Sequence, residues 1–207
     1  MSPYSNKKDW RVFVLQKPQL SIAMTSLYKK DGMEEALEDI VNVFDIEDRV
    51  YMLKSKKDET PSIVFSFGKL NNKNFGNVYF NIETDHWKSA SNKIANVVSK
   101  QKKKSDSILI FEYGYEGAKA KLTCRTGDSK TVKSAMESIK DAIQSFAKLV
   151  EDKNIPSSKS MIYCGFDKKA KEYKIDRAVV LKPKFQEYIF NEKKSSWEKV
   201  NQKSKKS

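Results

Sequence analysis

The chain of 207 residues is poor in several residue types. It has only 7 glycines and 5 prolines, which excludes a collagen-like or low-complexity protein. Its two cysteines, Cys124 and Cys164, lie in apolar segments and form no Cys-x-x-Cys pair, so we interpret both as reduced thiols. Every apolar run is shorter than the roughly 18 residues that cross a bilayer. No membrane partner is therefore predicted.

The N-terminal segment lacks the apolar core of a secretory signal, since Met1 to Asp9 is polar. We therefore expect an intracellular protein, cytoplasmic or associated with a nucleoid. The length suits a single domain with a real core. We predict a flexible N-terminus over residues 1–8, one domain over 9–190 and a basic flexible tail over 191–207.

Arginine is also scarce, with 4 residues against 36 lysines, and the net charge is +13. The charge is uneven, because residues 1–60 carry 10 basic and 11 acidic groups whereas the rest of the chain carries 30 and 16. Lysine suits backbone phosphates, and arginine is the better reader of base edges. The balance favours a polyanion bound with little sequence preference by the last two thirds of the chain, although an AT-rich genome also produces a lysine-rich composition.

Apolar residues in the middle of the chain alternate as in strands or recur as in helices. A strand that ends at Gly68 precedes a second predicted strand over Val78–Glu83 and a helix that begins at Asp85. Two strands and a long helix then follow again, at a spacing of 45 to 46 residues. We therefore predict an α+β fold, in which an antiparallel sheet is built from ββα-like units with about three helices on one face.

The candidate binding surface combines cations and aromatic rings on the uncovered face of this sheet. Lys119, Lys121 and Arg125 alternate onto one face of a strand whose other face is apolar. Cations neutralise phosphates while bases stack on rings, and each stacked base contributes about 1–3 kcal/mol. Unstacked bases are common in single strands and rare in duplexes. The predicted nucleic-acid-binding residues are Lys69, Lys73, Tyr79, Lys102, Lys103, Lys104, Tyr113, Tyr115, Lys119, Lys121, Arg125, Tyr163, Phe166, Lys168, Lys169 and Lys171.

The predicted function is a non-enzymatic, largely sequence-independent binder of single-stranded DNA or RNA. The sequence has no P-loop, no G-x-G-x-x-G, no G-x-S-x-G and no Cys/His metal-ligand set. No cofactor, catalytic residue or metal ligand is therefore predicted. The edges of an open sheet invite pairing, which makes homo-oligomerisation an expected property.

The sequence is compatible with two alternatives. The first is a small intracellular interaction or assembly protein, such as a viral or host-modulating factor, with the acidic helix Glu34–Asp48 as a docking surface for a protein partner. The second is a metal-dependent nuclease, which needs clustered carboxylates and a cation. Its candidate residues are Glu83, Asp85, Glu112, Glu116 and Lys119.

Overall fold

The computed structural model describes residues 17–26, 28, 32–46, 50–53, 60–71, 74–101, 106–181 and 183–200. Within these ranges the chain forms nine strands and five helices. In chain order they are β1 (Ser21–Thr25), α1 (Met33–Val41), β2 (Val50–Leu53), β3 (Ser62–Leu70), α2 (Phe75–Ile82), α3 (Asp85–Gln101), β4 (Ser107–Tyr115), β5 (Ala118–Thr126), α4 (Ser129–Glu137), α5 (Ile139–Glu151), β6 (Met161–Asp167), β7 (Glu172–Val180), β8 (Gln186–Asn191) and β9 (Ser196–Lys199).

All nine strands belong to one mixed sheet, in the order β2-β1-β3-β4-β5-β6-β7-β8-β9. Three neighbouring pairs are parallel, namely β1–β2, β3–β4 and β5–β6. The other five neighbouring pairs are antiparallel. The prediction of an antiparallel sheet made of ββα-like units with about three helices is therefore wrong.

The parallel pairs arise because helices connect their two strands. A direct hairpin joins only antiparallel strands, whereas parallel neighbours need a long crossover. The path β3-α2-α3-β4 recurs as β5-α4-α5-β6, and the starts of the two short helices, Phe75 and Ser129, are 54 residues apart. The starts of the second strands, Ser107 and Met161, are also 54 residues apart. The repeated unit is thus βααβ, with a period different from the predicted one.

The segment over Val78–Glu83 is largely helix α2 rather than the predicted strand. Val78 and Ile82 are buried, whereas Phe80 between them is 66% exposed. Residues four apart share a face in a strand and in a helix alike, so the pattern fits both structures. Before the helix, Asn71 and Asn74 exchange side-chain-to-backbone hydrogen bonds, with the Asn71 N–H 2.7 Å from the Asn74 Oδ1.

The five helices pack against one face of the sheet and share its core. Along β4 and β5 every second side chain is buried beneath these helices. Trp87 of α3 is fully buried, contacts the rings of Phe44 and Phe65, and donates its indole N–H to the Met136 carbonyl at 3.1 Å. Through Trp87, helix α3 therefore packs against the middle of the sheet and is hydrogen-bonded to α4.

Both cysteines are free and point to the core side of β5 and β6. Burial raises the pKa of the Cys124 thiol to about 11 and that of Cys164 to about 12. Both thiols are therefore protonated at neutral pH, which makes them poor nucleophiles.

Strands β8 and β9 form a hairpin at one edge of the sheet. The flexible tail was predicted to begin at residue 191, but β9 occupies Ser196–Lys199, and its Trp197 donates its indole N–H to the Asn154 carbonyl at 3.1 Å. Residues 191–200 thus belong to the body of the protein, and 1–8 and 201–207 lie outside the described residues. None of the helices in the described part of the chain is both long and apolar enough to cross a membrane.

Candidate nucleic-acid interface

The sheet has a second face that no helix of the described chain covers, which we call the open face. On β4 and β5 its side chains alternate with the buried ones and are half-buried or exposed. Strand β4 contributes aliphatic side chains and one carboxylate to this face, whereas β5 contributes mainly cations. The open-face residues of these two strands are Ile108, Ile110, Glu112, Lys119, Lys121, Thr123 and Arg125.

The cations of β5 form a row along the open face. Lys119 and Arg125 are exposed and have no ion pair with any described residue. Lys121 is half-buried and pairs with Glu112, which lies opposite it on β4, at 2.9 Å. Arg125 is six positions after Lys119 along the strand, so the row is about 20 Å long. All three cations thus lie on the face of β5 that points away from the helices.

Lys69 extends this row across the sheet. A register shift in β3 brings Lys69 opposite Gly114, and Gly114 in turn lies opposite Lys119. Because the glycine has no side chain, the two lysines border a shared hollow of about 250 Å³. Lys69 also lines a neighbouring cavity of about 890 Å³, together with Lys17 and the polar side chain of Asn77. Lys69 therefore borders both hollows, and the larger one has room for a nucleotide-sized group, although Asp45 also lines it.

Tyr163 of β6 provides an aromatic ring on the open face. It lies opposite Lys121 on one side and Arg177 on the other. The Arg177 guanidinium stands 4.7 Å from the centre of the tyrosine ring. Arg177 also pairs with Glu187 at 3.1 Å, which limits its motion. Rings and guanidinium planes both stack on bases, so this pair is suited to hold one unstacked base.

The turn between β6 and β7 presents three predicted cations at the other end of the row. Lys168, Lys169 and Lys171 are exposed, and their ammonium groups have no ion pair with any residue that the structure describes. Asp167 holds this turn, because its Oδ1 accepts the Lys169 N–H at 2.8 Å and the Ala170 N–H at 3.1 Å. Those hydrogen bonds, together with Lys174 at 3.0 Å, lower the pKa of Asp167 to about 2.

Replacing Asp167 with asparagine tests this turn through its pH dependence. The native carboxylate is ionised down to about pH 2, whereas its ordinary pKa is 3.8. Because the pKa is lowered by folding, the carboxylate stabilises the protein above pH 3.8, and this contribution is lost as pH falls towards 2. Thermal melts should show a lower Tm for Asp167→Asn at neutral pH, with the difference closing near pH 2. A Tm difference that does not change with pH would contradict this role.

Three predicted aromatic residues face the core rather than the open face. Tyr113 and Tyr115 are buried, and the Tyr113 hydroxyl donates to the Ala142 carbonyl at 3.2 Å while that of Tyr115 donates to the Glu151 carboxylate. Phe166 packs edge-on against Tyr173, with 5.1 Å between ring centres. These three residues cannot stack on a nucleic acid at this face, because the strand alternation points them beneath the helices.

Tyr79 is predicted to lie on the open face of the sheet. In the structure it lies on α2, in the helical layer. Its ring stacks on Phe75 at 6.2 Å, and the Lys140 ammonium stands 4.4 Å from the ring centre. Four further predicted cations, Lys73 and Lys102 to Lys104, lie outside the described residues. The structure thus brings Tyr163 together with the cations of β5, while the other four predicted rings lie elsewhere.

Sequence reasoning missed two cations of this face. Arg177 and Lys174 lie on β7, where Arg177 is opposite Tyr163 and Lys174 is opposite Gly165. The alternation of β7 could have indicated Arg177, but the register shift between Tyr163 and Cys164 changes which residues share a face. A bulge of this kind has no clear mark in the sequence.

The carboxylates proposed for a nuclease are not brought together. Glu83 pairs with Lys140, Asp85 pairs with Lys88 at 3.2 Å, and Glu112 pairs with Lys121. Among the described residues, no group of three or more His, Cys, Asp or Glu side chains is arranged to hold a metal ion. The arrangement that a metal-dependent nuclease requires is therefore not found in these residues.

Comparison with protein-family models, with curated proteins and with solved structures finds no match to this chain. On the open face, cations of β3, β5 and β7 and of one turn lie around the half-buried ring of Tyr163.

Proposed function

We propose that the protein binds single-stranded nucleic acid across its open face, without catalysis and with little sequence preference. One observation carries the proposal: Lys119, Lys121 and Arg125 form a row on the uncovered side of β5. Lys69 lies beside one end of this row and the lysines of the β6–β7 turn lie beside the other. A flexible phosphate backbone can follow such a row with a cation near several successive phosphates.

Electrostatic attraction supplies most of the affinity in this proposal. Lys119, Arg125 and the turn lysines have no carboxylate partner among the described residues, so they lose little when they bind a phosphate. Phosphates instead release their own counterions into solution, which makes binding steeply dependent on salt. Lysine contributes charge but not base readout, and this matches a chain with 36 lysines and 4 arginines.

Stacking has a smaller part than the sequence predicted, because four of the five predicted rings lie beneath or within the helical layer. Tyr163 and Arg177 remain as one stacking position on the open face. The half-buried aliphatic side chains of Val64, Ile108 and Ile110 lie beyond the cations on β3 and β4. They offer bases an apolar surface but no ring.

Fluorescence anisotropy of a labelled oligo-dT provides the direct test. We expect binding at about 0.05 M salt, progressive loss of binding as salt is added, and weaker binding to a duplex of equal length. An oligonucleotide that stays unbound at low salt would exclude this function and would favour a protein partner. Equal affinity for single strands and duplexes would exclude the stacking position.

Replacing Tyr163 with alanine tests the stacking position alone. We expect the binding free energy to weaken by about 1–3 kcal/mol, the amount contributed by one stacked base. The salt dependence should not change, because no charge is removed. Tyr79→Ala is the matched control, since this tyrosine lies on α2 and should leave binding unaltered. Equal losses from both variants would place the stacked base elsewhere.

A further inference from the structure

Strand β2 is an edge strand made only of apolar residues. Its sequence is Val50-Tyr51-Met52-Leu53, and all four side chains are exposed, Tyr51 by 54%. One side of β2 pairs in parallel with β1, and no described residue pairs with its other side. Backbone donors and acceptors along such an edge can pair with another strand.

The opposite edge of the sheet is different. Strand β9 carries Glu198 and Lys199, and Glu198 pairs with Lys194 at 3.1 Å. Charged edge residues discourage pairing between sheets, and β9 has this protection. Strand β2 has no charged residue in its four positions. Of the two edges, β2 is therefore the one suited to accept a further strand.

A second copy of β2 complements the first. When two identical edges meet antiparallel, a two-fold axis perpendicular to the sheet passes midway between the strands, level with the same residue in each. With the axis at Tyr51, Val50 lies opposite Met52 of the second copy; with the axis at Met52, Tyr51 lies opposite Leu53. Either register places three side chains of β2 opposite apolar side chains of the second copy, on both faces of the sheet, which stabilises an antiparallel pair.

Charge also favours a second copy at this edge. Two molecules of net charge +13 repel each other, yet residues 1–60, which include β2, carry 10 basic and 11 acidic groups. Contact through β2 therefore joins the nearly neutral thirds and keeps the basic thirds apart. The same axis places both open faces on one side of the joined sheet.

We propose that the protein forms a homodimer by antiparallel pairing of β2 with β2 of a second copy. A four-residue edge is a small interface, so the dimer is weak and depends on concentration. This inference is independent of the proposed nucleic-acid binding, because its test measures mass alone.

Sedimentation equilibrium of the full chain, at concentrations up to about 1 mM, tests the dimer. We expect the mass to rise from 23.9 kDa towards twice that value. Tyr51→Lys should remain monomeric, because it places two cations close together across the axis. Phe185→Lys is the matched control, since this aromatic residue is 53% exposed, lies before β8 and gains the same charge without expected effect on the mass.

A mixing experiment tests whether residue 51 of one copy lies close to residue 51 of the other. Tyr51→Lys and Tyr51→Glu should each be monomeric, and their equimolar mixture should form a heterodimer, because the two side chains lie on one face within reach of each other in either register. If a charge at residue 51 prevents folding, Tyr51→Thr keeps a strand-forming residue and should weaken the dimer at least several-fold. A wild-type protein that stays monomeric, a mixture that does not associate, or an equal loss in Phe185→Lys would each overturn the proposal.

Discussion

Replacing Trp87 with alanine should lower the free energy of unfolding by about 3–5 kcal/mol, the usual cost of truncating a large buried ring. Trp87 is fully buried, and its ring contacts Phe44, Phe65 and Phe67. Its indole N–H also joins α3 to the Met136 carbonyl of α4. Because domains are stable by only about 5–15 kcal/mol, this loss is a large part of the total.

Urea denaturation followed by circular dichroism measures this loss. Trp197→Ala is the matched control, because it removes the same side chain from β9, where the tryptophan is only half-buried. Its indole N–H also donates to a backbone carbonyl, so the two variants differ mainly in burial. We expect less than half the destabilisation for Trp197→Ala. Equal losses would show that Trp87 does not hold the helical layer to the sheet.

The triple variant Lys119→Ala, Lys121→Ala, Arg125→Ala should lose most of the binding to oligo-dT. Each phosphate contact contributes about 0.7 to the slope of log K against log salt for single strands, so the slope should fall by about 2. We expect the affinity to fall about 10- to 100-fold at low salt. Removal of Lys121 also leaves Glu112 without its cation on the same face, which adds repulsion.

A second triple variant distinguishes the loss of the proposed site from the loss of total charge. Lys88, Lys133 and Lys148 are exposed on α3, α4 and α5, on the opposite side of the sheet. Changing these three to alanine removes the same charge and should alter the slope little. If the two triple variants weaken binding equally, the cations of β5 are not the site. An unchanged slope in the β5 variant, in a folded protein, would lead to the same conclusion.

The misreading of one segment explains why the sequence does not predict β3 and β4 as parallel neighbours. With Val78–Glu83 taken as a strand, it forms a hairpin with the strand before it, and hairpins are antiparallel. As helix α2, the same segment begins a crossover from β3 to β4, so the two strands are parallel neighbours. Val78 and Ile82 satisfy either periodicity, and the exposure of Phe80 between them fits only the helix, since residue i+2 of a strand would share their buried face.

The tyrosines show a second limit of sequence reasoning. Tyr113 and Lys121 are on paired strands, and each strand alternates, but the alternation does not reveal which of its faces the helices cover when both faces carry apolar residues. On β4 the other face carries Ile108 and Ile110, so the pattern was ambiguous. The pattern of β5 was not ambiguous, because the cations of that strand all lie on one face.

The sequence by itself determined most strands, the buried stripe of α3, the excess of lysine and the row of cations on β5, because periodicity and charge are local properties of the chain. Only the tertiary structure decided the order and direction of the strands, the side on which the rings lie, and the pairing of Arg177 with Tyr163. Those features depend on which distant segments pack together, and local periodicity is compatible with several such arrangements.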